Sequence, residues 1–187
     1  MNARKLKKTG ARIMHAAKVL YEERGVDGAT FEEIALRAGV CRTTVFNHFS
    51  CTEELHAALA VQEIDEVIGH CAISRETGIP AIERLLDKLI DDTANYPRMM
   101  TRLTNTCILS PNGARVARIE ALIAENLAAA FGGAARVPLG CERMAQTVLG
   151  LYYGQVNHRH VHALPFLADD MKLEMRELLR YLLRREE

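Results

Sequence analysis

The stretch Thr30-Phe31-Glu32-Glu33-Ile34-Ala35-Leu36-Arg37-Ala38-Gly39-Val40-Cys41-Arg42-Thr43-Thr44-Val45-Phe46-Asn47-His48-Phe49 decides the fold. Thr30 followed by Glu33 has the S/T-x-x-E pattern of a capping box, in which two orphan backbone donors at a helix start are satisfied reciprocally. Phe31, Ile34, Ala35 and Ala38 then fall on one face, and Gly39 ends the helix. A second short helix follows. Its inner side is Val40, Val45 and Phe49, and Arg42, Thr43, Thr44 and Asn47 face out. Two short helices joined by a tight Ala38-Gly39-Val40 turn make a helix-turn-helix pattern, whose second helix would lie in the major groove of DNA. The outward residues suit that task. Arg42 can donate two hydrogen bonds to guanine and Asn47 can pair with adenine, while Thr and His side chains can bind phosphate oxygens. On spacing alone the pattern also fits two ordinary packed helices.

Upstream, Ile13, Ala16, Ala17 and Leu20 recur at i, i+3, i+4 and i+7, the stripe of an amphipathic helix over Thr9–Arg24. Gly25 suits its closing residue, and Asp27-Gly28 is a turn signal. Arg4, Lys5, Lys7 and Lys8 are expected ahead of this helix. Residues 1–50 carry nine Lys/Arg against five Asp/Glu, a net of +4, and residues 51–187 carry fifteen against nineteen, a net of −4. A basic quarter on an acidic remainder suggests an anion-binding module joined to something else.

The run from Thr30 to Val40, then Thr43-Thr44-Val45-Phe46-Asn47-His48-Phe49 and Glu53-Glu54-Leu55, resembles the DNA-binding signature of tetracycline-repressor-type (TetR family) regulators. The upstream Ile13-x-x-Ala16-Ala17-x-x-Leu20-Tyr21-x-x-x-Gly25 is similar to the first helix of that family. The resemblance covers roughly residues 9–56. It implies that Arg42 and Thr43 read bases and that Thr44 binds phosphate. Phe46 stands where a phosphate-reaching Tyr is usual, His48 matches a usual His, and Thr52 stands where a phosphate-binding Lys is common. Thr30 and Lys8 join Asn47 and these positions as expected DNA contacts, and Arg4, Lys5 and Lys7 are further candidates for phosphate or the minor groove.

The remainder reads as helices throughout. Ser50 with Glu53 offers a capping box for a long helix over about 51–74, carrying Leu55, Leu59, Ile64 and Val67. Pro80 suits a first helical turn, and Ile82, Leu85, Leu86, Leu89 and Ile90 form a stripe up to Asn95. Pro97 restarts the chain before Met99, Met100, Leu103, Cys107 and Ile108. Ser110-Pro111-Asn112-Gly113 is a loop. A helix is predicted from Ala114 to Phe131, ending at Gly132-Gly133, another opens at Pro138 and runs to about His162, and a last one follows Pro165. The resemblance implies a two-fold dimer through the last two helices and a pocket for a small-molecule effector among the middle ones. Candidate pocket residues are Met99, Met100, Leu103, Cys107, Tyr152, Tyr153 and Val156, since Met adapts to irregular space and Tyr adds a polar handle to an apolar ring. Ordinary core is the competing reading of each.

The whole chain is therefore expected to be all-α, with about nine helices. Residues 1–50 would form a three-helix DNA-binding domain and residues 51–187 a helical effector-binding and dimerisation domain. The composition agrees: aromatics are 5% and Trp is absent among 187 residues, which disfavours an all-β sandwich, and zero net charge disfavours a histone-like polycation. Five cysteines, odd in number and without a CxxC pair, suit reduced thiols in a cytoplasm better than a disulfide frame or a structural zinc site. No apolar run reaches the roughly 18 residues of a membrane span, and no secretory leader is expected. His158 and His162 share a helix face, but no evident third ligand completes a metal site. No GxSxG, phosphate-binding glycine loop or HExxH is present, so neither an enzyme nor a cofactor is expected. The functional expectation is a homodimeric transcriptional regulator, a ligand-responsive repressor of a palindromic operator in double-stranded DNA. The alternative is a helical small-molecule-binding or protein-interaction module that has lost DNA binding.

Overall fold

A computed structural model describes the backbone of residues 3–109 and 116–184, and the side chains of residues 7–105 and 116–184. Among the described residues every regular element is a helix. Helix α1 spans Ala3–Arg24, α2 Phe31–Ala38 and α3 Arg42–His48. The long α4, Thr52–Ile73, is followed by α5, Ile79–Asn95, and α6, Pro97–Leu109. Then come α7, Val116–Phe131, α8, Cys141–Val161, and α9, Ala168–Leu182.

Local chemistry explains most boundaries. At α2 the Thr30 hydroxyl accepts the Glu33 N–H (3.3 Å), while the Glu33 carboxylate accepts the Thr30 N–H (3.0 Å), completing the capping box. The helix closes on Gly39 at φ 64°, with Val40 N–H donating to Ala35 O and Gly39 N–H to Leu36 O. That is the Schellman pattern, which favours glycine at the left-handed position. The same pattern closes α7, where Gly133 N–H donates to Ala128 O and Gly132 N–H to Ala129 O.

Three boundaries depart from the sequence reading. Helix α1 begins at Ala3, so the four leading basic residues lie on the helix and not ahead of it. Ala, Arg, Lys and Leu are strong helix formers, and they carry the helix past Thr9 and Gly10. Helix α4 is capped at Cys51, one residue later than a Ser50–Glu53 box requires. The third helical residue is then Glu54, whose carboxylate accepts both Ser50 N–H and Ser50 Oγ–H at 2.7 Å. Pro138 does not open α8. It sits in a turn closed by Gly140 N–H to Val137 O, with Leu139 at φ 61°, and the helix starts at Cys141. The loop over Ser110-Pro111-Asn112-Gly113 and the start of a helix at Ala114 fall outside the described residues.

Two apolar cores result. One gathers Ile13, Ala17, Leu20, Ile34, Val45 and Phe49 from α1–α3 with Leu55 and Leu59 from α4. Met99, Met100 and Leu103 of α6 complete it, so this core reaches past residue 50. The other joins α5, α7, α8 and α9 to Val67 of α4. Helix α4 thus runs through both.

Candidate functional site

Helix α3 is seven residues long and too short to be stable alone. Val45 is fully buried and Phe49 nearly so, and each such burial contributes about 1.5–3 kcal/mol. With that side fixed, Arg42, Thr43 and Asn47 are exposed, and Thr44 and His48 are half-buried. The face predicted to meet DNA is therefore presented together on one rigid turn-and-helix unit. Lys8 and Lys7 are exposed on α1, and the side chains of Arg4 and Lys5 lie outside the described residues.

Several of these groups have local partners. Arg42 Nε donates to Glu32 Oε1 at 2.6 Å, and its guanidinium lies 5.0 Å from the centre of the Phe46 ring. Phe46 is 43% exposed and meets Phe31 edge-on at 5.0 Å. Sequence reasoning saw in Phe46 only a missing hydroxyl. Its ring is a platform that steadies Arg42 through a cation–π contact. The ion pair with Glu32 is solvent-exposed and weak, so the guanidinium can leave the carboxylate at little cost. Cys41 caps α3, and its Sγ lies 3.0 Å from Thr44 Oγ1. That hydroxyl and the backbone N–H groups of the first turn hold the thiol below its ordinary pKa. Thr30 has its hydroxyl engaged in the capping box, and Thr52 opens α4 half-buried.

The frame behind this face was not visible in the sequence. Arg12 of α1 donates through Nη2 to Ala38 O at 2.5 Å and to Gly39 O at 3.3 Å, capping α2 from outside. A Cβ on Gly39 would lie 2.9 Å from that nitrogen, so both the left-handed backbone and the seat of Arg12 call for glycine there. His48 packs on Gly10 of α1, where a Cβ would come 3.4 Å from Nδ1. Glu22 Oε2 accepts Arg98 N–H (2.9 Å) and Met99 N–H (3.2 Å), so a carboxylate of α1 caps the start of α6. Lys18 of α1 pairs with Glu63 of α4 at 2.7 Å. Tyr21 stacks edge-on against His56 of α4 at 4.9 Å, with burial holding the Tyr21 hydroxyl above its ordinary pKa and the His56 ring below its own.

A cavity of about 50 Å³ lies among α4, α5, α6, α7 and α8. Of the candidate pocket residues, Met100, Leu103, Tyr152 and Tyr153 line it. Met99 and Val156 do not. Met99 is fully buried in the N-terminal core and Val156 in the C-terminal one, because neighbours on a helix face different partners. The side chain of Cys107 lies outside the described residues. Thr93 gives its hydroxyl proton to Leu89 O, so the Tyr152 hydroxyl donates to Thr93 Oγ1 at 2.7 Å. Burial pushes the Tyr152 hydroxyl up to about 12. Glu63, with only 4% exposure, is a wall residue that the sequence did not single out. The rings of His158 and His162 are 4.5 Å apart, and no group of three His, Cys, Asp or Glu able to hold a metal occurs among the described residues.

The fold and this face define a helix-turn-helix protein. Residues 13–59 match the family described as "Bacterial regulatory proteins, tetR family". An HTH-type transcriptional regulator of Mycobacterium tuberculosis H37Rv, itself uncharacterised, is 31% identical over 124 residues. The match takes in 65% of this chain and 64% of that one, and a relative in Mycobacterium bovis aligns to the same extent. The chain thus spans just under two thirds of the length of these curated relatives. Among solved structures, a transcriptional regulator from Aquifex aeolicus VF5 superposes with a TM-score of 0.69 at 20% identity, covering 93% of this chain and 99% of its own. The fatty acid degradation regulator from Bacillus halodurans gives 0.71 at 16%, covering 93% and 94%. These structures share the fold. Residues 13–59 thus carry the helix-turn-helix segment of the TetR family, and the chain as a whole has the fold of these regulators.

Proposed function

We propose that the chain is a transcriptional regulator that binds a palindromic operator in double-stranded DNA as a homodimer and is released by a small molecule. One observation carries this reading: Arg42, Thr43 and Asn47 stand exposed on a helix whose other side is locked by Val45 and Phe49. In a major groove Arg42 and Thr43 would read base edges and Asn47 would favour adenine. Thr30, Thr44, His48 and Lys8 would hold the backbone. Residues 1–50 would supply the DNA face and residues 51–187 the effector and dimer functions, in a cytoplasm where the DNA is accessible. No helix among the described residues is long and apolar enough to cross a membrane.

The dimer reading rests on α8 and α9. Leu173 and Leu178 of α9 and Val161 of α8 are exposed, as are Gly150 and Gly154, where a Cβ would meet nothing within 4 Å. Small residues beside exposed leucines let two helix pairs approach closely. The pocket reading rests on the apolar wall around Met100, Leu103 and Tyr152.

Capture of genomic fragments on the purified protein, followed by sequencing, tests the function. The expected result is an enriched inverted repeat with half-sites one helical turn or a multiple apart. Failure to enrich any sequence, at low salt and without added small molecules, would overturn it.

A further inference from the structure

The wall of the cavity is mostly apolar, and its polar side chains are Glu63, Thr104, Tyr152 and Tyr153. Tyr152 and Thr104 interact with each other and Tyr152 with Thr93, so their polar atoms are served. Glu63 is not fully served. It is 4% exposed, its Oε1 accepts from Lys18, and its Oε2 is buried with no hydrogen bond among the described residues. A buried carboxylate oxygen without a donor is unfavourable, and an N–H from a ligand would relieve it. The charge around it is lopsided. Among the described residues Lys18 is the one cation bonded to Glu63, while Glu66 and Asp92 add negative potential there. Asp92 is paired with Lys88 through one oxygen, and its other oxygen is also buried and bare.

We infer that the cavity takes an apolar molecule bearing one protonated amine, whose N–H donates to Glu63 Oε2. This rests on the reading of the chain as a ligand-responsive regulator. An anion would meet a carboxylate whose bonded cation, Lys18, is already engaged, and a hydrocarbon would leave Oε2 bare. A neutral alcohol would answer the hydrogen bond but not the charge. The walls accept the apolar part, and the flexible Met100 lets the cavity widen around it. The same carboxylate ties α4 to α1 through Lys18. A second cation on Glu63 competes with Lys18 for its charge, and Lys18 already lies over the Tyr96 ring, 4.3 Å from its centre, which can retain it. Amine binding thereby loosens the join between the cavity and the DNA-facing helices. By linkage, the DNA-bound form holds the amine less tightly.

The test is calorimetry on the full chain with n-alkylammonium ions of four to eight carbons, beside 1-alkanols and n-alkanoates of the same lengths. At the best chain length the ammonium should bind at least tenfold tighter than the alcohol, and the alkanoate should not bind. Glu63→Gln keeps the shape and an acceptor for Lys18, and it should bring ammonium and alcohol within twofold of each other. Equal or tighter binding of the alcohol to the unaltered protein, which needs no variant to fold, overturns the inference. So does an ammonium preference that survives Glu63→Gln. Anisotropy titration on a captured DNA fragment then separates the two readings. Release of DNA by the ammonium supports the link through Lys18, and amine binding without release overturns that link. A chain that binds amine and captures no DNA overturns the regulator reading and leaves the cavity assignment supported.

Discussion

Arg42 illustrates how one side chain is held ready without being committed. Its guanidinium rests between the Glu32 carboxylate and the Phe46 ring, both exposed, so little must be broken before the proposed base contact replaces them. Arg42→Ala should weaken binding to the selected operator by about 1–3 kcal/mol and relax the preference at one base pair. Glu32→Gln should act the other way, raising affinity on all sequences at low salt because a negative charge leaves the interface. Anisotropy titrations on matched and mutated duplexes check both. Cys41 offers a second residue-scale outcome. Its thiolate is favoured by the Thr44 hydroxyl and nearby N–H groups, so the thiol loses its proton at a lower pH than an unassisted one. Alkylation by iodoacetamide should reach half its maximal rate at a lower pH for Cys41 than in the Thr44→Val variant, read by peptide mass spectrometry. Equal midpoints would count against the contact.

At the scale of elements, the joints between α1 and its neighbours decide how firmly the reading head is mounted. Glu22 caps α6 through two backbone N–H groups, and Glu22→Ala should cost about 1 kcal/mol, read as a lower urea midpoint with unchanged m-value. His56 sits between α4 and Tyr21 with Nε2 buried and unbonded, and burial, partly opposed by the Glu53 charge, keeps its pKa below the ordinary 6.5. The unfolded chain therefore binds the proton more readily than the folded one. The stability that His56 contributes is fully present above about pH 6.5 and is lost as pH falls toward the folded value. His56→Phe should flatten thermal stability between pH 5 and 7. The capping box of α2 and the glycine that ends it were legible because they are local, written within ten residues. The Arg12 cap, the Glu22 cap and the Lys18–Glu63 pair join residues 26, 76 and 45 positions apart. Helical periodicity says which face of a helix is apolar. It does not say which polar side chain on that face will reach another helix, so these joints had no signal in one sequence.

For the whole molecule, the exposed leucines of α9 are where assembly should be tested. Leu173 is 57% exposed and Tyr181 77%. Leu173→Glu combined with Leu178→Glu should give a monomer by light scattering while leaving the helical circular dichroism unchanged. The slope of log affinity against log salt on the full operator should fall to about half, since a monomer neutralises half the phosphates. A slope unchanged in a proven monomer would count against two symmetric DNA contacts. The all-helical architecture was legible from stripes, glycines and prolines. The cavity was legible only in part. Met99 and Met100 are adjacent, and nothing in their sequence context tells which one faces the N-terminal core alone and which also borders the cavity.

Met100 and Leu103 belong to the core that seats the first three helices and also line the cavity. A hybrid regulator cut at residue 50 would graft a foreign reading head onto half of its own foundation. Engineers who exchange such heads should carry α6 along with residues 1–50. On the proposed reading, retuning those two side chains toward a new inducer will shift how tightly the uninduced protein grips its DNA, so sensitivity and leakiness cannot be set independently at these positions.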